Sequence, residues 1–516
     1  MTRAALAIDQ GTTNTKALLI SSEGAILSKA ATPVGVRHPR AGWVEQSPDA
    51  IWLSVVEAVR KCLAAQPEVT IAGIGISNQR ESVLIWERNS GRPLGPCVTW
   101  QCRRSAGRLE PLRKTDAART IFDKTGLALD PMFPAAKIAW LLDAESGLRE
   151  RAVRGEICAG TVDSWLVFKL TRGRVHATDA GNASRTQLFD IGRMQWDSEL
   201  AAAFDVPLSI LPDVRASDAA FGETIAGGDL PGGLPILAVM GDSHAALFGH
   251  GVRTPGKVKA TYGTGTSLMT LTGRRLPSAH GLSTTIAWAR GGEPAYALEG
   301  NISVSGQVAA FIRELLGLED EDALTALAQT VRSSEGICFV PALAGLGAPY
   351  WRDDVRGRVT GMTLATKPAH VARAALEAIA LQIRDVLVAM EEDLGARIDE
   401  LSADGGASRN GLLMQLQADV LDRRIRRNPV SELSAAGVGV MAGIGAGLWD
   451  EATGEALFQH ESTQFIAAMP APEREAILET WRLAIAQALG SGRSIAEGVL
   501  VEAGRGDSRG QKAFCN

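Results

Sequence analysis

Gly241-Asp242-Ser243-His244 ends an apolar run, and Thr261-Tyr262-Gly263-Thr264-Gly265 follows a short way along the chain. Ile8-Asp9-Gln10-Gly11-Thr12-Thr13, near the N-terminus, repeats the pattern of an apolar strand, an acid and a glycine- and threonine-rich turn. Such a turn suits a polyphosphate, because glycine lets backbone N–H groups approach closely and hydroxyls donate to phosphate oxygens. Two such segments in one chain predict a nucleotide that is held from two sides.

The turns supply several donors for phosphate oxygens, namely Thr12, Thr13, Asn14 and Thr264. The strand-end acids Asp9 and Asp242 can hold Mg²⁺ through water, or accept a proton from an attacking hydroxyl. We expect these two carboxylates to face each other across a cleft, with the nucleotide and Mg²⁺ between them. Either turn alone could be an ordinary hairpin, since glycine, threonine and aspartate are common turn residues. It is the pair that favours a nucleotide site.

The composition excludes several classes of protein. The 516 residues include 53 basic and 58 acidic side chains, a net charge of -5, so no basic face for nucleic acid is expected. The six cysteines lack paired spacing, which argues against a zinc site or a disulfide framework. No apolar run approaches the roughly 20 residues of a membrane span. We expect a cytoplasmic protein with neither nucleic acid nor membrane partners.

Strands alternate with helices, which predicts an α/β layer fold. The first half has predicted strands at residues 4–9, 16–20, 26–30 and 71–76 and a predicted helix at 48–65. After Gly249 the plan restarts, with predicted strands at 256–261 and 267–272 and predicted helices at 308–316, 371–394, 412–421 and 473–489. We therefore predict an N-terminal domain at 1–250, a C-terminal domain at 251–490 and a flexible tail at 491–516.

Arg80 and Glu81 directly follow a predicted strand, at the sheet edge where α/β enzymes bind ligands. A guanidinium donates in a fork and a carboxylate accepts, so the two could hold neighbouring hydroxyls of a polyol. Trp100 follows a second apolar stretch and could wall the same pocket. The alternative is a surface ion pair that contributes little to stability.

Two further segments and one serine have alternative interpretations. Asp404-Gly405-Gly406-Ala407-Ser408-Arg409-Asn410 ends a strand and opens a helix, a suitable place for a purine and phosphate, or simply a tight turn. Gly437-Val438-Gly439-Val440-Met441-Ala442-Gly443 has the spacing of a small-residue helix face, which we interpret as packing. Ser243 could be a hydrolase nucleophile, but the sequence places no histidine and acid partner for it.

These segments resemble the FGGY carbohydrate kinases, and within them the glycerol kinases. The resemblance extends from about residue 4 to about residue 450, and its blocks occur in the family's order at 9–13, 78–81, 100–104, 132–143, 160–165, 182–186, 345–351, 357–377 and 404–406. It implies an actin-like fold, in which two ribonuclease-H-like domains close on ATP and Mg²⁺. It also implies transfer of a phosphoryl group to a small polyol, a role in glycerol metabolism, and a homo-oligomer, either a dimer or a tetramer.

The resemblance also implies roles for individual residues. Asp242 would be the general base, and Asp9 and Asp242 would be the metal-binding acids. The phosphate and nucleotide contacts would be Thr12, Thr13, Asn14, Lys16, Thr264, Gly306, Gly406 and Asn410. The polyol would be held by Arg80, Glu81, Trp100 and Asp242, with Met132, Ser243 and Ser267 lining the same pocket.

The chain departs from the glycerol kinase pattern at three of these positions. Glycerol kinases usually have a tyrosine where Met132 stands, a glutamine at Ser243 and an aromatic ring at Ser267. The changes open volume, and a ligand hydroxyl left unpaired costs about 1–3 kcal/mol. Glycerol is the default substrate, and a longer polyol or ketose such as erythritol, threitol, xylitol, ribulose or xylulose is the alternative. An actin-like or chaperone-like ATPase without an acceptor is the rival of another class.

Overall fold

The structure is a computed structural model that describes residues 2–227, 230–430, 432–458 and 462–490. The predicted flexible tail at 491–516 lies outside the described residues. The fold is mixed α/β, and the predicted helices and strands of both halves are present with small shifts at their ends.

The first half of the chain contains thirteen described strands and nine described α-helices. The strands are β1 (Arg3–Gln10), β2 (Asn14–Ser21), β3 (Ile26–Pro33), β4 (Glu45–Gln46), β5 (Thr70–Asn78), β6 (Val83–Glu87), β7 (Cys97–Val98), β8 (Ile157–Thr161), β9 (Ala177–Asp179), β10 (Phe189–Asp190), β11 (Gln195–Trp196), β12 (Asp213–Arg215) and β13 (Ile236–Gly241). The helices are α1 (Pro48–Ala64), α2 (Glu110–Arg113), α3 (Ala117–Thr125), α4 (Pro134–Leu142), α5 (Leu148–Val153), α6 (Val162–Leu170), α7 (Ala180–Ser184), α8 (Ser198–Phe204) and α9 (Asp242–Gly249).

The second half contains nine described strands and seven described α-helices. The strands are β14 (Val258–Tyr262), β15 (Thr266–Leu271), β16 (Ser283–Arg290), β17 (Glu293–Ile302), β18 (Cys338–Val340), β19 (Arg358–Thr360), β20 (Glu400–Asp404), β21 (Arg424–Arg427) and β22 (Thr463–Phe465). The helices are α10 (Gly306–Leu315), α11 (Glu321–Gln329), α12 (Pro368–Leu394), α13 (Gly411–Leu421), α14 (Leu433–Gly445), α15 (Glu451–Ala456) and α16 (Ala471–Ala488).

The N-terminal sheet has the strand order β13-β5-β1-β2-β3. β1, β2 and β3 form an antiparallel meander, whereas β5 runs parallel to both β1 and β13. Layers cover both faces of this sheet, so β1 is an almost continuous apolar run in which Ala4 to Ile8 are all buried. The carboxyl ends of β1, β5 and β13 consequently meet at one edge.

The C-terminal sheet repeats this plan in the order β16-β17-β15-β14-β20-β21-β22. β14, β15 and β17 form the antiparallel meander, and β20 and β21 continue parallel to β14. β16 and β22 extend the sheet at its two edges. The restart of the fold after Gly249 is confirmed, because five strands of each sheet share the same order and directions.

The small-residue segment at 437–443 lies inside α14, and its predicted packing role is confirmed. An added Cβ at Gly439 would meet Ala7 and Ile20, and one at Gly437 would meet the backbone of Ala245. α14 therefore covers the N-terminal sheet although it follows most of the C-terminal sheet in the chain. The domain boundaries 1–250 and 251–490 stay a prediction. In the described ranges, no helix combines the length and apolar character that a bilayer span requires.

Candidate active site

The carboxyl ends of the parallel strands in the two sheets line a cleft with two adjoining cavities. The first, of about 540 Å³, is lined by ten of the predicted residues: Thr12, Thr13, Arg80, Glu81, Trp100, Met132, Asp242, Ser243, Thr264 and Ser267. The second, of about 760 Å³, is lined by Thr264, Gly306, Gly406 and Asn410. The cavities share Gly263, Thr264 and Gln307. Asp9, Asn14 and Lys16 are not among the lining residues of either cavity.

The two strand-end acids lie on one edge of the N-terminal sheet. Asp9 is near the end of β1 and Asp242 follows β13, and both strands flank β5. Two strand spacings of about 4.8 Å put their backbones about 10 Å apart. The prediction that these acids face each other across the cleft is wrong, because both belong to the same sheet. The glycine turn at residues 263–265, on the C-terminal sheet, provides the second side of the cleft.

Asp242 lies in the first cavity, named the acceptor cavity below because it is lined by the residues predicted to hold the polyol. One oxygen of Asp242 accepts two hydrogen bonds. Arg80 Nε donates to Asp242 Oδ1 at 3.2 Å, and the Ser243 backbone N–H donates to the same atom at 2.6 Å. Although 37% of the side chain is exposed to the cleft, its burial raises the pKa of Asp242 to about 6, against the opposing effect of Arg80. Asp9 and Glu81 raise the pKa further. Such a carboxyl is ionised at neutral pH and remains basic enough to take a proton from an alcohol.

Arg80 and Glu81 are the centre of a buried ion network, so the surface ion-pair alternative is wrong. They are only 6% and 5% exposed. Arg80 Nη1 and Nη2 donate to the two oxygens of Glu299 at 3.0 and 2.5 Å. Arg185 Nε donates to Glu81 Oε1 at 2.6 Å, and Arg185 Nη2 lies 3.0 Å from Glu299 Oε2. Arg80 thus pairs with Glu299 and Glu81 pairs with Arg185, and both partners are more than 100 residues away in the sequence.

Glu81 is held in an unusual backbone conformation by a buried lysine. Its φ is 58°, in the left-handed region that few non-glycine residues occupy. Lys137 Nζ donates to the carbonyl oxygens of Glu81 at 3.0 Å and Met132 at 2.5 Å. Burial lowers the pKa of Lys137 to about 8. Lys137 therefore positions two residues of the acceptor cavity at once.

Trp100 links the wall of the acceptor cavity to the N-terminal phosphate turn. Its Nε1 donates to Thr12 Oγ1 at 3.0 Å, and its backbone N–H donates to Ser82 Oγ at 3.1 Å. The Gln46 side chain donates to the Thr12 carbonyl oxygen at 2.8 Å. These bonds fix the indole ring and the turn relative to each other.

Ser267 is on the floor of the same cavity, on β15. Its hydroxyl donates to Glu299 Oε1 at 2.8 Å and accepts from Lys259 Nζ at 3.5 Å, which leaves one oxygen lone pair for a ligand. Asn301 is paired with Ser267 across β15 and β17, lines the cavity, and has a buried Nδ2 without a hydrogen-bond partner. Ser303 lines the cavity as well.

Sequence reasoning missed Glu299, Arg185, Asn301 and Ser303. Glu299 was detectable in principle, since a lone carboxylate within the apolar run of β17 is costly to bury without a partner. Arg185 lies in a block that the family resemblance included, but that block gives no partner. Asn301 and Ser303 carry no spacing signal, because their importance depends on a cavity that only the fold creates.

The second cavity suits a nucleotide. The backbone N–H groups of Ser305 and Gln307 donate to the Thr264 carbonyl oxygen, and that of Gly306 donates to Gly263, which fixes the glycine turn at the start of α10. An added Cβ at Gly306 would meet the Gly263 carbonyl oxygen, so the close approach requires glycine. Asn410 caps α13 by accepting from the Leu413 N–H at 3.1 Å. The N-termini of α10 and α13 thus border this cavity, where the positive ends of the helix dipoles favour phosphate.

Asp9 has the surroundings of a residue that binds a cation. Ser77 Oγ donates to Asp9 Oδ1 at 2.9 Å, and Lys16 is its cross-strand partner on β2. Burial raises the pKa of Asp9, and the Lys16 charge opposes this effect. A carboxylate that burial has stripped of water and that keeps an oxygen for a hydrated ion fits Mg²⁺.

The hydrolase alternative for Ser243 lacks its partners. In the described part of the chain, no hydrogen bond joins the Ser243 hydroxyl to a histidine. His244 is fully buried, with Nε2 3.3 Å from Arg80 Nη1, and burial holds its pKa well below the usual value. His244 is therefore a neutral packing residue next to Arg80.

Known proteins share the whole architecture. Residues 4–249 match the N-terminal domain and residues 258–446 the C-terminal domain of the FGGY family of carbohydrate kinases. An apulose kinase of Pectobacterium atrosepticum is 47% identical over 489 residues, which cover 94% of this chain and 98% of that protein. A glycerol kinase of Citrifermentans bemidjiense is 44% identical over 492 residues, with 94% and 98% covered.

Solved structures agree with these relatives. The Plasmodium falciparum glycerol kinase with ADP has a TM-score of 0.88 and 30% identity, covering 95% of this chain and 98% of that chain. A ligand-bound xylulose kinase from Lactobacillus acidophilus has a TM-score of 0.84 at 20% identity, covering 95% and 99%, a similarity of fold. This chain thus belongs to the FGGY carbohydrate kinases, phosphotransferases with an alcohol acceptor, and has their two-domain actin-like ATPase fold.

Proposed function

We propose that the protein transfers the γ-phosphoryl group of ATP to a terminal hydroxyl of a polyol or ketose with four or five carbon atoms. The observation that carries this proposal is the acceptor cavity, which is lined by the flexible Met132 and the short Ser243 and Ser267. Side chains of this size leave room beyond a three-carbon chain. Glycerol, the default from the family resemblance, is the second candidate, because relatives named glycerol kinase are 44% identical.

Polar groups of β15 and β17 that line the cavity support a larger, oxygenated substrate. The Ser267 oxygen can accept from a substrate hydroxyl, while the Asn301 amide can donate to a hydroxyl or a ketose carbonyl. A buried donor without a partner costs about 1–3 kcal/mol, which a matching substrate oxygen would recover. A relative named apulose kinase, 47% identical, supports an acceptor other than glycerol.

In this proposal Asp242 is the general base. Both of its described hydrogen bonds go to Oδ1, so Oδ2 is the atom that accepts the proton of the substrate hydroxyl. Arg80 and Glu81 hold the neighbouring hydroxyls and Trp100 covers the carbon chain. Bound ATP supplies the phosphoryl group, and Mg²⁺ neutralises the charge that develops on it.

The remaining predicted residues would hold ATP and the metal ion. Asp9 would hold Mg²⁺ through water, with Asp242 close to the same ion. The phosphate and nucleotide contacts would be Thr12, Thr13, Asn14, Lys16, Thr264, Gly306, Gly406 and Asn410. Closure of the two domains would exclude water from the cleft, which limits wasteful hydrolysis of ATP. From the family resemblance, we further propose a cytoplasmic homodimer or homotetramer, which light scattering of the purified protein would test.

An acceptor panel tests the proposal directly. ADP release is measured by a coupled assay with glycerol, erythritol, threitol, xylitol, arabinitol, ribulose, xylulose and apulose. We expect the highest kcat/KM with a four- or five-carbon compound. Strong activity on glycerol alone would overturn the enlarged-pocket proposal. ATP consumption that no acceptor increases would favour the rival ATPase without an acceptor.

A further inference from the structure

We propose that Glu299 is a positioning residue that orients Asp242 and Glu81 together, acting through Arg80 and Arg185. The inference rests on the proposed function, in which Asp242 is the base. Glu299 is 0% exposed and accepts hydrogen bonds from both Nη atoms of Arg80. It also pairs with Arg185 Nη2 at 3.0 Å.

The rigid shape of the guanidinium group transmits this position. A guanidinium is planar, so fixing its Nη atoms also fixes the direction of its Nε–H. The Nε of Arg80 donates to Asp242 at 3.2 Å, and the Nε of Arg185 donates to Glu81 at 2.6 Å. A single carboxylate therefore directs the Arg80 donor through two hydrogen bonds and holds the Arg185 donor through an ion pair.

Glu299 reaches this network from the other domain. It belongs to β17 of the C-terminal sheet, whereas Arg80 follows β5 and Arg185 follows α7. The neighbouring strand β16 is bonded to the N-terminal half: Thr285 Oγ1 lies 2.9 Å from Ser184 Oγ, and the Ala289 N–H donates to Ser217 Oγ. Hydrogen bonds between the two halves of the chain thus hold the C-terminal sheet where Glu299 can reach Arg80 and Arg185. Within that sheet, the Ser267 hydroxyl donates to Glu299 Oε1.

The charges around the network decide what removing Glu299 would do. The titratable groups that act on Asp242 or Glu299 are Asp9, Arg80, Glu81, Arg185, His244 and Lys259. Burial alone would raise the pKa of Glu299, but Arg185 and Arg80 outweigh it and hold the pKa well below its usual value. Glu299 is therefore the charged counter-ion of both arginines. Without its charge, both guanidinium groups lose the carboxylate that holds them in place.

The test compares Glu299→Gln, Glu299→Asp and the matched control Glu377→Gln. Glu377 is also buried, at 3% exposure, and pairs with Arg373 Nε at 2.9 Å on α12. The Nε–H signals of Arg80 and Arg185 are measured by ¹H–¹⁵N NMR, each identified by its loss in the Arg80→Lys or Arg185→Lys spectrum. We expect both signals to shift in Glu299→Gln, to shift less in Glu299→Asp, which keeps the charge, and to stay in place in Glu377→Gln, where the Arg373 signal should move instead. This readout needs no acceptor, so it stands even if the proposed function fails.

Kinetics with the best acceptor of the panel provide the second readout. A misplacement of about 1 Å can cost about 10²-fold, so we expect Glu299→Gln to lower kcat by about 10- to 100-fold with little change in the KM for ATP. Glu299→Asp, one methylene shorter, should also lose kcat with little change in the KM for ATP. Unchanged Nε–H signals of Arg80 and Arg185 in Glu299→Gln overturn the proposal; if that variant does not fold, a kcat within threefold of wild type in Glu299→Asp does so.

Discussion

The two sheets have the same strand plan, but the acids at the carboxyl ends of their parallel strands have pKa values shifted in opposite directions. In the N-terminal sheet, Asp242 follows β13, and burial raises its pKa to about 6. In the C-terminal sheet, Asp404 ends β20 with its Oδ1 3.4 Å from His250 Nε2. Burial acts on Asp404 too, but His250 and Lys259 outweigh it and lower its pKa. The strand order thus places an acid at the carboxyl end of a strand in each sheet, whereas the surrounding cations set its pKa and so decide whether it can serve as a base.

Asp242→Asn gives the largest expected effect and tests this contrast. The amide cannot accept the proton of the acceptor hydroxyl, so we expect kcat to fall by about 10² to 10⁴, the usual contribution of a positioned base. The matched control is Asp404→Asn, which changes the acid of the other sheet. The proposed role of Asp242 is incorrect if steady-state kinetics show equal losses in both variants or no loss in Asp242→Asn.

Asp9→Asn tests the second acid of the N-terminal sheet. Groups that hold a metal ion indirectly typically contribute about 10- to 100-fold, so we expect a loss of that size at low Mg²⁺. Activity should recover in part as Mg²⁺ is increased, because the weaker site then fills by mass action. Titration of activity with MgCl₂ measures the effect. A loss that no Mg²⁺ concentration relieves would indicate a different role for Asp9.

The pH profile tests the raised pKa of Asp242 itself. Because the ionised form is the base, activity is retained above the pKa and lost as pH falls through it. We expect the acid limb of kcat/KM at about pH 6, with a loss of about tenfold per pH unit below it. An acid limb near pH 4, where an ordinary aspartate titrates, would show that the cleft does not raise the pKa of Asp242.

Gly306→Ala tests the nucleotide side of the comparison. Its Cβ would meet the Gly263 carbonyl oxygen and displace the glycine turn. Overpacking of this kind costs about 1–3 kcal/mol, so we expect the KM for ATP to rise by about tenfold. The KM for the acceptor should change much less. Gly256→Ala is not a suitable control because of its positive φ; Gly411→Ala is suitable, since an added Cβ there would meet nothing within 4 Å.

Sequence patterns predicted the elements of both sheets well, because buried parallel strands and amphipathic helices have strong periodicities. They also identified the strand ends that carry Asp9, Arg80, Glu81 and Asp242. They did not predict that both aspartates share a sheet, since strand order between distant segments leaves no local signal. Glu299 was missed for a related reason: its two arginine partners are more than 100 residues away in sequence, and only tertiary contacts bring them together.

The position of α14 in the chain determines how late in synthesis the N-terminal sheet can be covered. This helix covers the apolar face of the N-terminal sheet, yet about 190 residues separate it from β13, which is about 10–40 s of ribosomal synthesis at 5–20 residues per second. Throughout that interval this apolar face of the nascent chain is exposed to solvent, because the helix that covers it has not yet been synthesised. A fragment that stops at residue 250 would keep this surface permanently, so it should aggregate or require a chaperone when expressed alone.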